Sequence, residues 1–104
     1  MDRLNALRVF QRVVDDGGFA AAARALDLSP PVVTRLVAEL EAHLGTRLLN
    51  RTTRRVALTE AGQAYLERVR PLLQDLEEAD ALVSTHAREP AGTLRVLAPP
   101  VLAT

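Results

Sequence analysis

The sequence predicts a mainly α-helical fold of three helices and a two-stranded hairpin followed by one long helix. Three observations carry that expectation. Apolar residues recur at three-and-four spacing in separate segments ahead of Gly45, apolar and polar residues alternate after that glycine, and a single apolar stripe then runs from Tyr65 to Val83. The first pattern belongs to amphipathic helices, the second to short strands, and the third to a helix presenting one seam. Composition agrees, since 104 residues with 48% hydrophobic and 25% charged content suit one globular domain rather than a disordered chain or a membrane span. The chain has no cysteine, which excludes a disulfide framework and a thiolate metal site. Its start, "MDRLNALRVF", lacks the sustained apolar run of a signal peptide, so a cytoplasmic location is expected, with no membrane partner.

The first helix is expected over roughly residues 3–15, where Leu4, Leu7, Val9, Phe10, Val13 and Val14 form the apolar side and "DDGG" ends it. An alanine-rich helix follows from about Phe19 to Leu26. Asp27 and Leu28 then lead to Ser29, so two helices meet across about three residues, the spacing of a helix-turn-helix. Such a corner needs small residues where the helices touch and an apolar wedge beneath them. Ala22 and Ala23 meet the first need, and Leu26, Leu28, Val33 and Leu36 the second. Asp27 stands where a glycine often sits, and aspartate is among the few residues that tolerate a left-handed backbone.

The third helix opens unusually, in "LSPPVVTRLVAELEAHLG". Proline costs roughly 3 kcal/mol inside a helix but fits the first turn, where the missing N–H has no partner to lose. Ser29 is therefore the expected N-cap, and the helix starts at Pro30. Val33, Leu36, Val37, Leu40 and Leu44 make one buried stripe, which leaves Val32, Thr34 and Arg35 near the amino-terminal end and off it. Gly45 is the expected C-terminal cap.

The stretch "TRLLNRTTRRVALT" alternates around Leu48 and again around Val56 and Leu58, with an arginine-rich centre, and reads as a hairpin that projects its arginines. Helix, helix-turn-helix and hairpin together make a winged helix-turn-helix. Charge is consistent with an anionic partner despite a formal net of zero, because the chain through Leu58 carries nine arginines against six acids and the remainder four against seven. From Ala42 to Thr59 there is no carboxylate, while Arg47, Arg51, Arg54 and Arg55 all fall there. In a double-stranded DNA complex, the start of the third helix would enter the major groove. Its N–H groups would face phosphates, Pro30 and Pro31 would offer apolar surface to a thymine methyl, and Thr34 and Arg35 would supply a hydroxyl and a two-pronged donor.

The stretch "LRVFQRVVDDGGFAAAARALDLSPPVVTRLVAELEAHLGTRLLNRTTRRVALTEAG" resembles the DNA-binding domain of the LysR-type transcriptional regulators, with its serine-started recognition helix, "LE…LG", "LLNRTTR" and "LTEAG". The resemblance implies that Ser29, Pro30, Pro31, Val32, Thr34 and Arg35 meet bases or flanking phosphates, and that Arg51, Thr53, Arg54 and Arg55 serve the wing, with Arg54 at the minor groove. One position departs from the family, which most often has glutamine where this chain has Pro30. A glutamine reads adenine bidentately and a proline cannot, so base recognition there should be lost or replaced by van der Waals contact.

The last helix is expected from Thr59, an N-cap with Glu60 in the first turn, to about Ala87, which is roughly 43 Å of helix. Tyr65, Val69, Leu72, Leu76, Ala79 and Val83 step along it by fours and threes, the pattern of a seam that packs on a second copy of the chain. The resemblance implies the same, a homodimer through residues 59–88. Pro71 removes the hydrogen bond to the Glu67 carbonyl and should kink the helix or end it. The apolar phase carries through unshifted, so one helix with a local bend at Pro71 is expected rather than two with a break near Arg70. Beyond the helix, "PAG" reads as a linker and Thr93 to Ala98 as a strand, the point where the family's effector-binding domain would begin. The expected organisation is thus a DNA-binding domain at 1–58, a dimerisation helix at 59–88 and a hinge at 89–104. A full-length protein would add a small-molecule effector site.

Enzyme function finds little support. His43 and His86 lie far apart without carboxylates at ligand spacing, and there is no glycine-rich phosphate loop or nucleophile elbow, so no cofactor or metal is expected. The alternative class is a helical protein-interaction module whose arginines are merely solvated, and salt dependence of binding separates it from a DNA reader.

Overall fold

The computed structural model describes residues 1–51 and 56–88. Helix α1 (Arg3–Asp16) is capped by Asp2, whose carboxylate accepts from the Asn5 amide at 3.2 Å, and closes at Gly17 with φ +81°. Helix α2 (Phe19–Leu26) closes at Asp27, the one non-glycine residue with positive φ (58°) among those described, as the sequence led one to expect. Helix α3 (Pro30–Leu44) carries its two prolines in the first turn and ends at Gly45 with φ +73°. Strands β1 (Leu49–Arg51) and β2 (Val56–Leu58) pair antiparallel, Leu49 facing Leu58 and Arg51 facing Val56. Helix α4 (Glu60–Arg88) is continuous, with Pro71 inside it, so the proline does not end the helix. No described helix is long and apolar enough to cross a membrane.

Residues Met1–Pro71 form one compact unit. Its core draws on the predicted stripes, with Val9, Phe10 and Val13 of α1, Ala22 and Ala23 of α2, and Val33, Leu36, Val37 and Leu40 of α3. It adds Ala6, which the periodicity passed over, while Leu7, Val14, Leu26, Leu28 and Leu44 are only partly buried against it. Ala6 is small enough to let α1 lie close to its neighbours, whereas Leu4, counted on the apolar side from sequence, is 39% exposed. Leu48, Leu49 and Leu66 complete the cluster from the hairpin and α4. Phe10 is wholly buried, so its truncation to alanine would cost on the order of 3–5 kcal/mol.

The junction between hairpin and α4 is held by Thr59. Its hydroxyl accepts from the Gly62 amide at 2.9 Å and donates to the Arg47 carbonyl at 2.8 Å, and its own amide donates to the Leu48 carbonyl at 3.0 Å. Gly62 is needed here because a Cβ would sit 2.0 Å from the Leu48 oxygen. Further along α4, Arg70 grips Asp15 of α1 through two contacts, at 2.6 and 3.2 Å. The hydrogen bond to Asp15 holds the Arg70 guanidinium above its ordinary range, so the bridge keeps its cation at every pH up to strongly alkaline values. The second unit begins at Leu72, and its described part is the remainder of α4.

Candidate nucleic-acid interface

The amino-terminal edge of α3 is an exposed row. Ser29, Pro30, Pro31, Thr34 and Arg35 are all open to solvent, whereas Val32 is half-buried and packs on the core. Arg35 is not idle in the absence of a partner, since its Nη1 donates to Glu39 one turn on at 3.2 Å. Both groups are exposed, so the pair is worth only a few tenths of a kcal/mol and yields readily to a better acceptor.

The two prolines change what this helix end can bind. They have no N–H, and the next two amides, of Val32 and Val33, donate to the Ser29 carbonyl at 3.0 and 3.2 Å. From Pro30 to Val33 the helix therefore has no spare amide to aim at a phosphate, so most of the N–H groups expected to face the backbone of a nucleic acid are missing or already bonded. Ser29 occupies the N-cap position, but its side chain makes no capping bond. The reason is the same, because one donor a cap hydroxyl would meet is missing and the next is taken. What remains is an apolar proline surface with one hydroxyl beside it.

The hairpin root is organised by a residue the sequence reading passed over. Glu41, on the last turn of α3, is only 6% exposed and accepts from the amides of Leu48 and Leu49 at 2.8 and 3.1 Å and from Arg51 Nη2 at 3.0 Å. Arg47 Nε lies 3.6 Å from the same carboxylate. The Arg51 guanidinium also lies over the Phe19 ring, 5.2 Å from its centroid. Arg51, expected to serve the wing in DNA binding, lies between Glu41 and Phe19. A signal was present in the sequence, for Glu41 is a carboxylate on the buried stripe of α3, four residues after Val37, and the carboxylate-free arginine stretch starts directly after it.

Thr53, Arg54 and Arg55 lie outside the described residues, as do residues 93–98 with their expected strand. His43 sits on the last turn of α3, with Nε2 2.8 Å from Arg3 Nη2. Arginine can only donate, so the imidazole accepts and carries its proton on Nδ1. No group of three or more side chains suited to a metal ion occurs among the described residues.

The proposed seam of α4 divides in two. Tyr65 is half-buried against the chain's own core, its ring centroid 6.3 Å from that of Phe10, and Val69 is 3% exposed. The buried side of this part of α4 is Gly62, Leu66 and Val69. Leu72, Leu82 and Val83 are exposed by 65, 52 and 68%; Ala79 is exposed and Leu76 half-buried. The open part of the seam thus starts at Leu72.

A helix-turn-helix whose second helix shows an exposed hydroxyl and guanidinium edge, backed by a two-stranded hairpin, defines the winged helix-turn-helix class of domain. Residues 4–63 match the family model described as bacterial regulatory helix-turn-helix protein, lysR family. An HTH-type transcriptional repressor of Pseudomonas aeruginosa strain UCBPP-PA14 is 47% identical over 96 residues, which cover 92% of this chain and 30% of that protein. An HTH-type transcriptional regulator of Xanthomonas campestris pv. campestris is also 47% identical over 96 residues, with 92% and 28% covered. Among solved structures, the BenM DNA-binding domain in complex with catB site 1 DNA superposes with a TM-score of 0.76 at 30% identity, covering 86% of this chain and all of that one (100%). The CbnR DNA-binding domain complex with DNA gives 0.72 at 39% identity, covering 85% and 100%. The chain belongs to the lysR family of bacterial regulatory helix-turn-helix proteins. It spans about 30% of the length of the curated relatives it matches, and the family is one of transcription regulators rather than enzymes.

Proposed function

We propose that this chain is the sequence-specific DNA-binding part of a transcriptional regulator, which binds a partly palindromic duplex as a homodimer. The observation that carries the reading is the exposed α3 edge, where Thr34 and Arg35 stand beside the proline surface on a rigid helix. Arg35 leaves Glu39 for a guanine edge in the major groove, the proline pair lies against base methyl groups, and Ser29 supplies a hydroxyl. Arg54, with Thr53 and Arg55 beside it in the sequence, serves the adjacent minor groove.

Two copies pair through the exposed seam Leu72, Leu76, Ala79 and Val83, which places two recognition helices about one helical turn of DNA apart, on the order of 34 Å. Charge favours antiparallel pairing. Asp75, Glu77, Glu78 and Asp80 crowd the carboxyl-terminal half of α4, and a parallel pair would set these acids side by side, while an antiparallel one brings them toward Arg68. The regulator acts in the cytoplasm, where its DNA is, and the full-length protein also binds a small-molecule effector, a reading supported by the full-length LysG of Corynebacterium glutamicum, solved with a bound effector. A purely helical interaction module would leave the Thr34 and Arg35 edge without work.

The test is selection of duplexes from a random pool, followed by measurement of the selected site with Arg35→Ala. The expected outcome is a defined site with two related halves, and a loss of about 1–3 kcal/mol in the variant confined to one base pair of each half. A pool that remains random, or a variant that loses affinity equally for every sequence, contradicts the reading.

A further inference from the structure

We infer that Glu41 is a positioning residue that fixes the hairpin to the recognition helix, and that Arg51 belongs to this device and does not contact phosphate; the inference rests on the DNA-binding reading above. Glu41 lies on the last turn of α3, just before the chain leaves for β1, and its two oxygens are divided between tasks. Oε2 takes the amides of Leu48 and Leu49, the residues that enter the hairpin, and Oε1 takes Arg51 at the far end of β1. The Leu48 carbonyl meanwhile accepts from Thr59, the cap of α4. The peptide at Leu48 is therefore held to α3 through its nitrogen and to α4 through its oxygen.

A merely solvating carboxylate would not be 6% exposed, and a merely structural one would not need a cation that reaches back along the strand. Arg51 is held on both sides, by the Glu41 carboxylate at 3.0 Å and by the Phe19 ring at the start of α2. Of the two arginines that face Glu41, Arg51 at 3.0 Å is the nearer and Arg47 at 3.6 Å the farther, so Arg51 has its anionic partner before DNA arrives and its binding to DNA would release no further counterion. What the pair supplies is registration. A recognition helix and a hairpin that reach two different grooves act as one body only if the link between them is stiff, and preorganisation of that kind raises affinity for the site where both contacts fit at once.

Two substitutions separate positioning from simple support. Glu41→Gln keeps the shape but offers one acceptor oxygen in place of two, so its amide group must point donors at the Leu48 and Leu49 amides or at Arg51. Arg51→Met keeps an apolar stem over Phe19 and removes the cation. Both are compared with the parent well below their melting temperatures, by amide hydrogen exchange at Leu48 and Leu49 without DNA, and by binding to the selected duplex and to a random one across salt. Faster exchange at these two amides is expected in a folded Glu41→Ala. In Glu41→Gln and Arg51→Met the ratio of selected to random affinity should fall by roughly tenfold, and the salt slope of Arg51→Met should equal the parent's.

A slope lower by about one unit in Arg51→Met would mean that Arg51 meets a phosphate after all and would overturn the inference. An unchanged ratio in folded variants would overturn it too, by leaving Glu41 a support for folding alone. Unaltered exchange at Leu48 and Leu49 in a folded Glu41→Ala, which offers these amides no acceptor, overturns it whether or not the parent binds DNA. Absence of salt-sensitive binding by the parent overturns instead the functional reading beneath it.

Discussion

At Gly62 the side chain is absent for a reason that geometry states directly: a Cβ would lie 2.0 Å from the Leu48 carbonyl oxygen and 2.9 Å from its carbon. Neither atom belongs to a flexible side chain, so Gly62→Ala must push the first turn of α4 away from the hairpin root. The expected loss is about 1–3 kcal/mol, read as a drop of several degrees in the thermal midpoint. A midpoint equal to the parent's would show that this junction is looser than its contacts indicate. The need for glycine at this place was not legible in the sequence, where "LTEAG" looks like an ordinary helix start, because the clash is with a residue 14 positions back in the chain. Asp27 is the opposite case. Its left-handed turn follows from local sterics, and the spacing of the flanking helices was enough to locate it.

Among the elements, α3 was the most readable in outline and the least readable in its chemistry. Its start, stripe and glycine cap all follow from local rules, and Pro30, Val33, Leu36, Val37, Leu40 and Gly45 stand where those rules put them. The partners of its polar residues depend on where other segments fold, so the Glu41 connections to Leu48, Leu49 and Arg51 could not be read from periodicity. The helix end is a different case, because the sequence itself shows that Pro30 and Pro31 have no N–H, and only the bonding of the Val32 and Val33 amides to the Ser29 carbonyl had to be seen in the structure. One consequence concerns Glu39. It occupies Arg35 at 3.2 Å and brings a negative charge to the exposed side of the recognition helix. Glu39→Gln should tighten binding to every duplex, by about twofold or somewhat more, with selected and random sequences gaining alike. Fluorescence anisotropy of labelled duplexes measures this, and weaker binding to the selected site alone would instead make Glu39 a reader of bases.

For the molecule as a whole, the question is how one helix serves two purposes. As far as Pro71, α4 is part of the first unit, contributing Leu66 to its core and Arg70 to the bridge with Asp15. The heptad pattern in the sequence runs without a shift from Tyr65 to Val83, so pattern alone could not say that its first two positions face the chain's own interior. Val83 is 68% exposed and is therefore a safe place to probe association, because a charge there leaves the folded unit untouched. Val83→Asp should weaken self-association by at least roughly tenfold, since it buries a charge in the seam. Sedimentation equilibrium reads the change, and an unaltered dimer would move the interface elsewhere.

Whether this family member reads DNA through α3 and its hairpin is decided by fluorescence anisotropy of the 104-residue chain on its selected duplex and on random duplex, each titrated across salt. Tight binding to the selected duplex, weaker binding to random sequence and a steep fall of both with salt are the expected results, because binding through phosphate contacts releases counterions. Binding that is indifferent to salt and sequence would contradict a DNA-reading role and would leave the exposed face of α4, and a protein partner for it, as the purpose of the chain.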